Sequence, residues 1–96
     1  MRINEESYAE LFKLLSESSR LRILFLLMEN EQCVGDIALK LGMNQSAVSH
    51  QLRVLKDQGI IGARRNGKQI YYSLADMEIK SLFEVGEECL KKYNMI

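Results

Sequence analysis

The densest chemistry in these 96 residues lies between Gln45 and Lys68. Gln45, Ser46, Ser49, His50, Arg53 and Lys56 follow one another at spacings that gather them on one side of a helix. Amides and hydroxyls there give directed hydrogen bonds, and His50 supplies the chain's one imidazole. Further on, Arg64, Arg65 and Lys68 flank Asn66-Gly67 with no acid among them. Asn-Gly between strand-forming runs signals a two-residue hairpin turn whose residues both take positive φ. A hairpin is often only a structural edge, and a charged helix face only a solvated one. A tip carrying three cations, preceded by that helix, is better read as a wing laid against phosphates.

The charge distribution supports this. The chain is neutral overall, with 13 basic and 13 acidic residues. Residues 1–43 carry a net −2 and residues 75–96 another −2, whereas residues 44–74 carry +4. A local basic patch is the electrostatic footprint of a nucleic-acid binder even in a neutral chain. Catalytic chemistry has no comparable signal: there is no glycine-rich phosphate loop and no Ser-His-Asp or Cys-His set at a recognisable spacing. Cys33 and His50 can be paired on paper, but His50 belongs on the outer face of its helix. The expectation is therefore a protein that is not an enzyme. One histidine excludes a multi-histidine metal site within one chain, and two cysteines make no disulfide scaffold.

The length allows one domain, residues 1–96, able to bury roughly two-thirds of its unfolded surface. Hydrophobic residues at 47% and charged residues at 27% describe an ordered globular chain. The longest apolar run, Ile23 to Met28, is far below the ~20 residues of a membrane span. Met1-Arg2-Ile3-Asn4-Glu5-Glu6 lacks the apolar region and cleavage site of a signal peptide, so a cytoplasmic location without membrane contact is expected.

Periodicity then supplies the elements that position the candidate residues. Tyr8, Leu11, Phe12 and Leu15 form one face of a helix over about residues 5–15. Ser18 or Ser19 is placed to cap a second helix ending near Met28 or Glu29. Its run of Leu21 and Ile23 to Leu27 predicts a rod buried on most sides. Val34, Ile37, Ala38 and Leu41 mark a short third helix stopped by Gly42. Asn44 caps a fourth helix from Gln45 to about Gln58, with Val48, Leu52 and Leu55 turned inward. Together they predict a helix-turn-helix over about 34–58, followed by the wing over about 61–74. A last helix over about 76–93 carries Ile79, Leu82, Phe83, Gly86, Leu90 and Tyr93 as its stripe. The first and last helices are more apolar surface than so small a core needs, which predicts a two-fold dimer through them. The fold class is mainly α with a small β-hairpin (α+β): four helices, two strands and a helix.

This order, with Ser19-Arg20-Leu21-Arg22-Ile23-Leu24, Asn44-Gln45-Ser46-Ala47-Val48-Ser49-His50-Gln51-Leu52 and Gly67-Lys68-Gln69-Ile70-Tyr71-Tyr72-Ser73-Leu74, resembles the ArsR/SmtB family of winged helix-turn-helix repressors. The resemblance covers about Leu11 to Tyr93. It implies a cytoplasmic homodimeric transcriptional repressor that binds a double-stranded DNA operator and leaves it when an effector binds. Under it, Gln45, Ser46, Ser49 and His50 reach base edges, with Gln suited to adenine. Arg64, Arg65 and Lys68 become backbone contacts that set affinity and salt dependence, and Arg53 takes a guanine or, as its place a turn further along favours, a phosphate. For His50 the plain alternative is a surface histidine.

The resemblance thins at the effector. Many family members carry Glu-Leu-Cys-Val-Cys-Asp-Leu at the start of the third helix, where two thiolates hold soft ions. This chain reads Glu31-Gln32-Cys33-Val34-Gly35-Asp36-Ile37, and one thiolate gives little chelate affinity. A second family site, on the last helix and across the dimer, is matched here only by Asp76, Glu78, Cys89 and Lys92, and lysine is no zinc ligand. Asp76 is equally well a helix cap. No cofactor is expected, since neither ligand set is complete. Cys33 and Cys89 remain candidates for thiol, oxidant or soft-metal sensing, against a reading as two small residues without a role. The rival to the whole account is a winged-helix protein–protein module, which leaves Arg64, Arg65 and Lys68 without a task.

Overall fold

The run Leu21 to Met28 has almost no polar residue to turn to water, and the chain folds around it. In the computed structural model, which describes residues 4–96, helix α1 (Glu5–Ser16) leads directly into the central helix α2 (Ser18–Glu29). The reading of Met1-Arg2-Ile3 as free of a signal peptide lies outside the described residues. Ile23 and Leu24 of α2 are fully buried and Leu27 nearly so. Around them pack Leu15 of α1, Ile37 and Ala38 of α3 (Val34–Leu41), Val48, Leu52 and Leu55 of α4 (Gln45–Asp57), then Ile60, Ile61 and Ile79 of α5 (Met77–Lys92). Full burial of each such side chain contributes about 1.5–3 kcal/mol. Phe25 marks the side of α2 that is left open. Its ring tilts against Phe83 of α5 at a centroid distance of 5.2 Å, yet it stays 48% exposed. Helix α2 packs against α1, α3, α4 and β3, and its Leu21 and Phe25 edge opens into a groove beside α5.

The helix ends are closed by specific polar groups. Only Glu17 separates α1 from α2, so Ser18 is already helical and cannot be the cap that the sequence suggested. Glu17 takes that role: its carboxylate accepts from the backbone N–H groups of Ser19 (3.2 Å) and Arg20 (3.1 Å). Two arginines of α2 close other helices. Arg20 donates to the Leu14 carbonyl at the end of α1 (3.1 Å) and to Gln51 Oε1 of α4 (2.9 Å). Arg22 donates to the Leu41 carbonyl at the end of α3 (2.9 Å). Gly42, at φ +65°, ends α3 in the left-handed cap, a conformation without penalty only for glycine. Asn44 Oδ1 accepts from the Ala47 N–H at 2.7 Å and opens α4. Asp76 Oδ1 accepts from the N–H groups of Glu78 (3.0 Å) and Ile79 (3.3 Å) and opens α5.

A two-residue strand, β1 (Gln32–Cys33), adds to the hairpin strands β2 (Ile61–Asn66) and β3 (Gln69–Leu74), giving an antiparallel sheet of order β1-β3-β2. Strand β1 was absent from the expected element order because two residues carry no readable period. Asn66 pairs with Gln69, so the turn is Gly67-Lys68, one residue later than Asn66-Gly67. Gly67 alone takes positive φ there, at +65°, as the type II′ turn requires at its first central position. The observed register pairs Ile61 with Leu74, joining two apolar residues at the core end. A turn at Asn66-Gly67 would have paired Ile61 with Tyr72 and left Leu74 beyond the ladder.

Leu52→Ala removes a side chain that is 1% exposed and ties α4 to the core. It is expected to cost about 2–5 kcal/mol in a urea unfolding titration. Asp76→Ala should cost ~1 kcal/mol through loss of the α5 cap, while Asp76→Asn keeps most of it. Equal losses from both variants would mean that charge, not capping, is what Asp76 supplies.

Candidate nucleic-acid interface

Helix α4 divides its faces cleanly. Val48, Leu52 and Leu55 are buried, and Gln45, Ser46, Ser49, His50 and Arg53 are all exposed on the opposite side. Those five line one open groove of about 520 Å³. The inner face is fixed by core packing, so the outer one is presented at a set angle. The structure therefore gathers all five predicted residues of this helix. A second groove, about 310 Å³, runs between α4 and the hairpin, lined by Ser49, Leu52, Arg53, Lys56, Asp57 and Tyr72. The sequence put Lys56 on the outer face of α4 without giving it a DNA contact, and it did not place Tyr72 in the site. Tyr72 gave no local signal, because its place depends on the hairpin register.

The three hairpin cations are not equivalent. Successive residues of a strand point to opposite faces. Ile61 and Leu74 define the face that packs on the core, and Arg65 and Tyr72 share its parity. Arg65 thus lies on the side of α4, and Lys68 projects from the exposed turn. Arg64 has the opposite parity and faces away from α4 with its cross-strand neighbour Tyr71. There Arg64 Nε donates to Glu31 Oε2 at 2.9 Å, a second bond runs from Nη2 to Oε1, and the guanidinium carbon lies 5.1 Å from the Tyr71 ring centroid. The hydrogen bonds from Arg64 hold the Glu31 carboxyl below its usual range, and Glu31 in turn raises Arg64. A depressed carboxylate supports the fold above its unfolded pKa and loses that support as pH falls through its folded value, so the pair is intact at neutral pH.

Three cations outside residues 44–74 are engaged within the chain. Arg20 and Arg22 close helix ends, and Lys40 donates to Gln32 Oε1 at 2.8 Å. Arg53, Lys56, Arg65 and Lys68, by contrast, are all exposed: Arg53 and Lys56 line the α4 grooves, strand parity puts Arg65 on their side, and Lys68 stands at the turn.

The residues weighed as metal or redox sites do not assemble within the chain. Cys33 is buried at the head of α3, Cys89 is exposed on α5, and both thiols are free. A Cβ on Gly35 would meet only Gln45 Nε2, at 3.8 Å, so the backbone leaves room for a side chain where the second thiolate of the resemblance would stand. Asp76 is engaged as the α5 cap. Asp76 and Glu78 lie at one end of α5 and Cys89 near the other, about 15–20 Å away at 1.5 Å per residue. Among the described residues no group of three His, Cys, Asp or Glu side chains is placed to hold a metal ion. No described helix is long and apolar enough to cross a membrane.

Opposite the polar face lies an apolar one. Phe12, Leu15, Leu21, Leu82, Phe83 and Gly86 line one groove between α1, α2 and α5. Phe25, Leu90 and Ile96 extend it along α5. Tyr8, Phe12, Phe25 and Tyr93 are each about half exposed or more, so large apolar side chains of α1, α2 and the end of α5 are left to water.

The family model "Bacterial regulatory protein, arsR family" matches residues 17–62. The chain is 44% identical over 78 residues to the transcriptional repressor SmtB homolog of Synechocystis sp., an alignment covering 81% of this chain and 59% of that protein. It is 42% identical over 82 residues to the cadmium resistance transcriptional regulatory protein CadC homolog of Staphylococcus aureus, covering 84% and 68%. Among solved structures, Rv0081 of Mycobacterium tuberculosis superposes with a TM-score of 0.84 at 36% identity, over 94% of this chain and 91% of that one. The homodimeric winged helix-turn-helix DNA-binding domain of a possible ArsR-family regulator from Mycobacterium bovis gives 0.77 at 32% identity, over 95% and 90%. The five helices, the three-stranded sheet and the placement of α4 beside the hairpin are thus those of a winged helix-turn-helix, and the chain belongs to the ArsR family of bacterial transcriptional regulators.

Proposed function

We propose that two copies of this chain form a repressor that binds a double-stranded DNA operator in the cytoplasm. The observation that carries the reading is the exposed face of α4, polar and cationic, held at a fixed angle by its buried opposite face. Gln45, Ser46, Ser49 and His50 lie in the first turns of α4, where side chains of a reading helix reach base edges in the major groove. Arg53 and Lys56 border the groove shared with the hairpin and take phosphates, as do Arg65 and Lys68. The dimer forms through α1 and α5, whose apolar face includes the exposed Phe12, Leu90 and Tyr93. Two-fold symmetry sets two reading helices against successive major grooves, roughly 34 Å apart.

Release by an effector belongs to the same reading. An input at the dimer seam changes the separation of the two α4 helices, and a ~100-fold loss of affinity needs only about 2.7 kcal/mol of coupling. The cadmium in a relative's name does not transfer: Cys33 stands without a second thiolate, and Asp76 is a cap. Thiol chemistry at the exposed Cys89 is the input best matched to the residues present.

Binding is measured as anisotropy of a labelled duplex from the region upstream of the chain's own coding sequence, over a series of salt concentrations. The combined variant Arg65→Ala, Lys68→Ala should lower the slope of log K against log salt by about 1.8, since each lost phosphate contact removes ~0.9. An unchanged slope would remove the hairpin tip from the interface. Binding that is absent, or indifferent to salt, would favour a protein-docking module. In sedimentation, Leu90→Glu should give a monomer that binds the same duplex at least ~10-fold more weakly, because a buried unpaired charge is costly in an apolar seam.

A further inference from the structure

The cation-rich hairpin contains one arginine that the DNA-binding reading does not require. Arg64 lies on the face turned away from α4, makes two hydrogen bonds to Glu31 and rests over Tyr71. Glu31 belongs to the short link between α2 and β1, outside the hairpin altogether. The position of the contact along the ladder is what gives it meaning. Strand β1 covers β3 only at Tyr71 and Tyr72. The next two cross-strand pairs, Arg65 with Ile70 and Asn66 with Gln69, have no third strand beside them. The Arg64–Glu31 pair therefore sits where the anchored base of the hairpin becomes a free tip. The tip extends about 10 Å further at roughly 3.4 Å per residue, and it carries Arg65 and Lys68.

We infer that Glu31 and Arg64 form a clasp that sets the angle of the wing, and that Arg64 is a positioning residue rather than a phosphate contact. The inference rests on the DNA-binding reading and revises the role of one residue within it. An exposed ion pair is ordinarily weak, because water and salt screen it and two long side chains must be ordered. This one has the features that raise such a pair above the ordinary: fork-to-carboxylate geometry with two bonds, and an aromatic ring beneath the guanidinium. A guanidinium occupied in this way neutralises a carboxylate of its own chain and releases no counterions on binding DNA. The free tip has no other side-chain tether: among the described residues no side-chain hydrogen bond or ion pair from Arg65, Asn66, Lys68 or Gln69 reaches another element. Loss of the clasp should let Arg65 and Lys68 swing out of register with the phosphates that α4 selects.

The sign of one variant separates this from direct contact. Removing an acid beside a DNA-binding surface strengthens binding on electrostatic grounds alone. The clasp predicts the reverse. Glu31→Ala, Arg64→Ala and the double variant are titrated by anisotropy against the duplex described above, over a series of salt concentrations. Each single variant should bind about threefold more weakly, the double should be no weaker than either single, and all three should keep the wild-type salt slope. Tighter binding by Glu31→Ala, with a slope lowered by about 0.9 in Arg64→Ala, would make Arg64 a phosphate contact for which Glu31 competes and would overturn the clasp. Unchanged affinity in all three would overturn it too. Hydrogen exchange of the free proteins gives a readout without DNA. Amides from Arg64 to Tyr71 should exchange faster in each single variant, and wild-type rates would contradict the clasp. Failure of the wild-type chain to bind any duplex would defeat the DNA reading alone, and the exchange rates would still decide the clasp.

Discussion

The seating of one side of α4 in the core is the constraint on which the rest of the molecule depends. Val48, Leu52 and Leu55 are each no more than 1% exposed, and they meet the fully buried Ile23 and Leu24 of α2. A helix anchored along one face cannot roll, so its opposite face is presented rigidly. Every other element serves that seat. Helix α3 and its left-handed Gly42 cap bring the chain into α4 at the required angle. Ile60 and Ile61 continue the same core and start the hairpin alongside. Arg20 reaches from α2 to Gln51 of α4 and to the end of α1, so one side chain registers three helices. Core packing of this kind, rather than helix propensity, supplies most of the stability of a short helix in a small protein.

Neutrality of the whole chain does not weaken the electrostatic argument. Three cations outside the central third are consumed internally by carbonyl or amide oxygens. What reaches solvent as an organised positive field comes from residues 44–74, and within that segment only Arg64 is bound to an acid. The molecule is therefore bipolar in function: one side polar and cationic, the other apolar along α1, α2 and α5. The proposed two-fold dimer would cover the second side while doubling the first.

Much of this could be read in the sequence. Helix boundaries came within a residue or so wherever apolar spacing was flanked by a strong punctuation residue, as with Gly42 after α3 and Asn44 before α4. The polar face of α4 was legible for the same reason: its inner positions have no other possible neighbour than a core. The failures share a different cause. Strand β1 is two residues long and exists only because β3 passes beside it. The turn settled on Gly67-Lys68 because Ile61 and Leu74 had to meet over the core, a nonlocal demand that outweighed the local preference for Asn-Gly. Glu17 took the cap from Ser18 because the α1–α2 corner is a single residue wide. The pairing of Arg64 with Glu31 joins residues far apart in sequence and had no local sign at all. Grouping Arg64, Arg65 and Lys68 as one tip ignored strand parity, which alone separates the first two.

The central claim is that a dimer of this chain lays its two α4 helices into successive major grooves. Hydroxyl-radical footprinting on the duplex upstream of its own coding sequence addresses that geometry directly. The account predicts protected patches in two sets, related by two-fold symmetry and centred about one helical turn, or a whole number of turns, apart. A single protected set, or protection without symmetry, would contradict it.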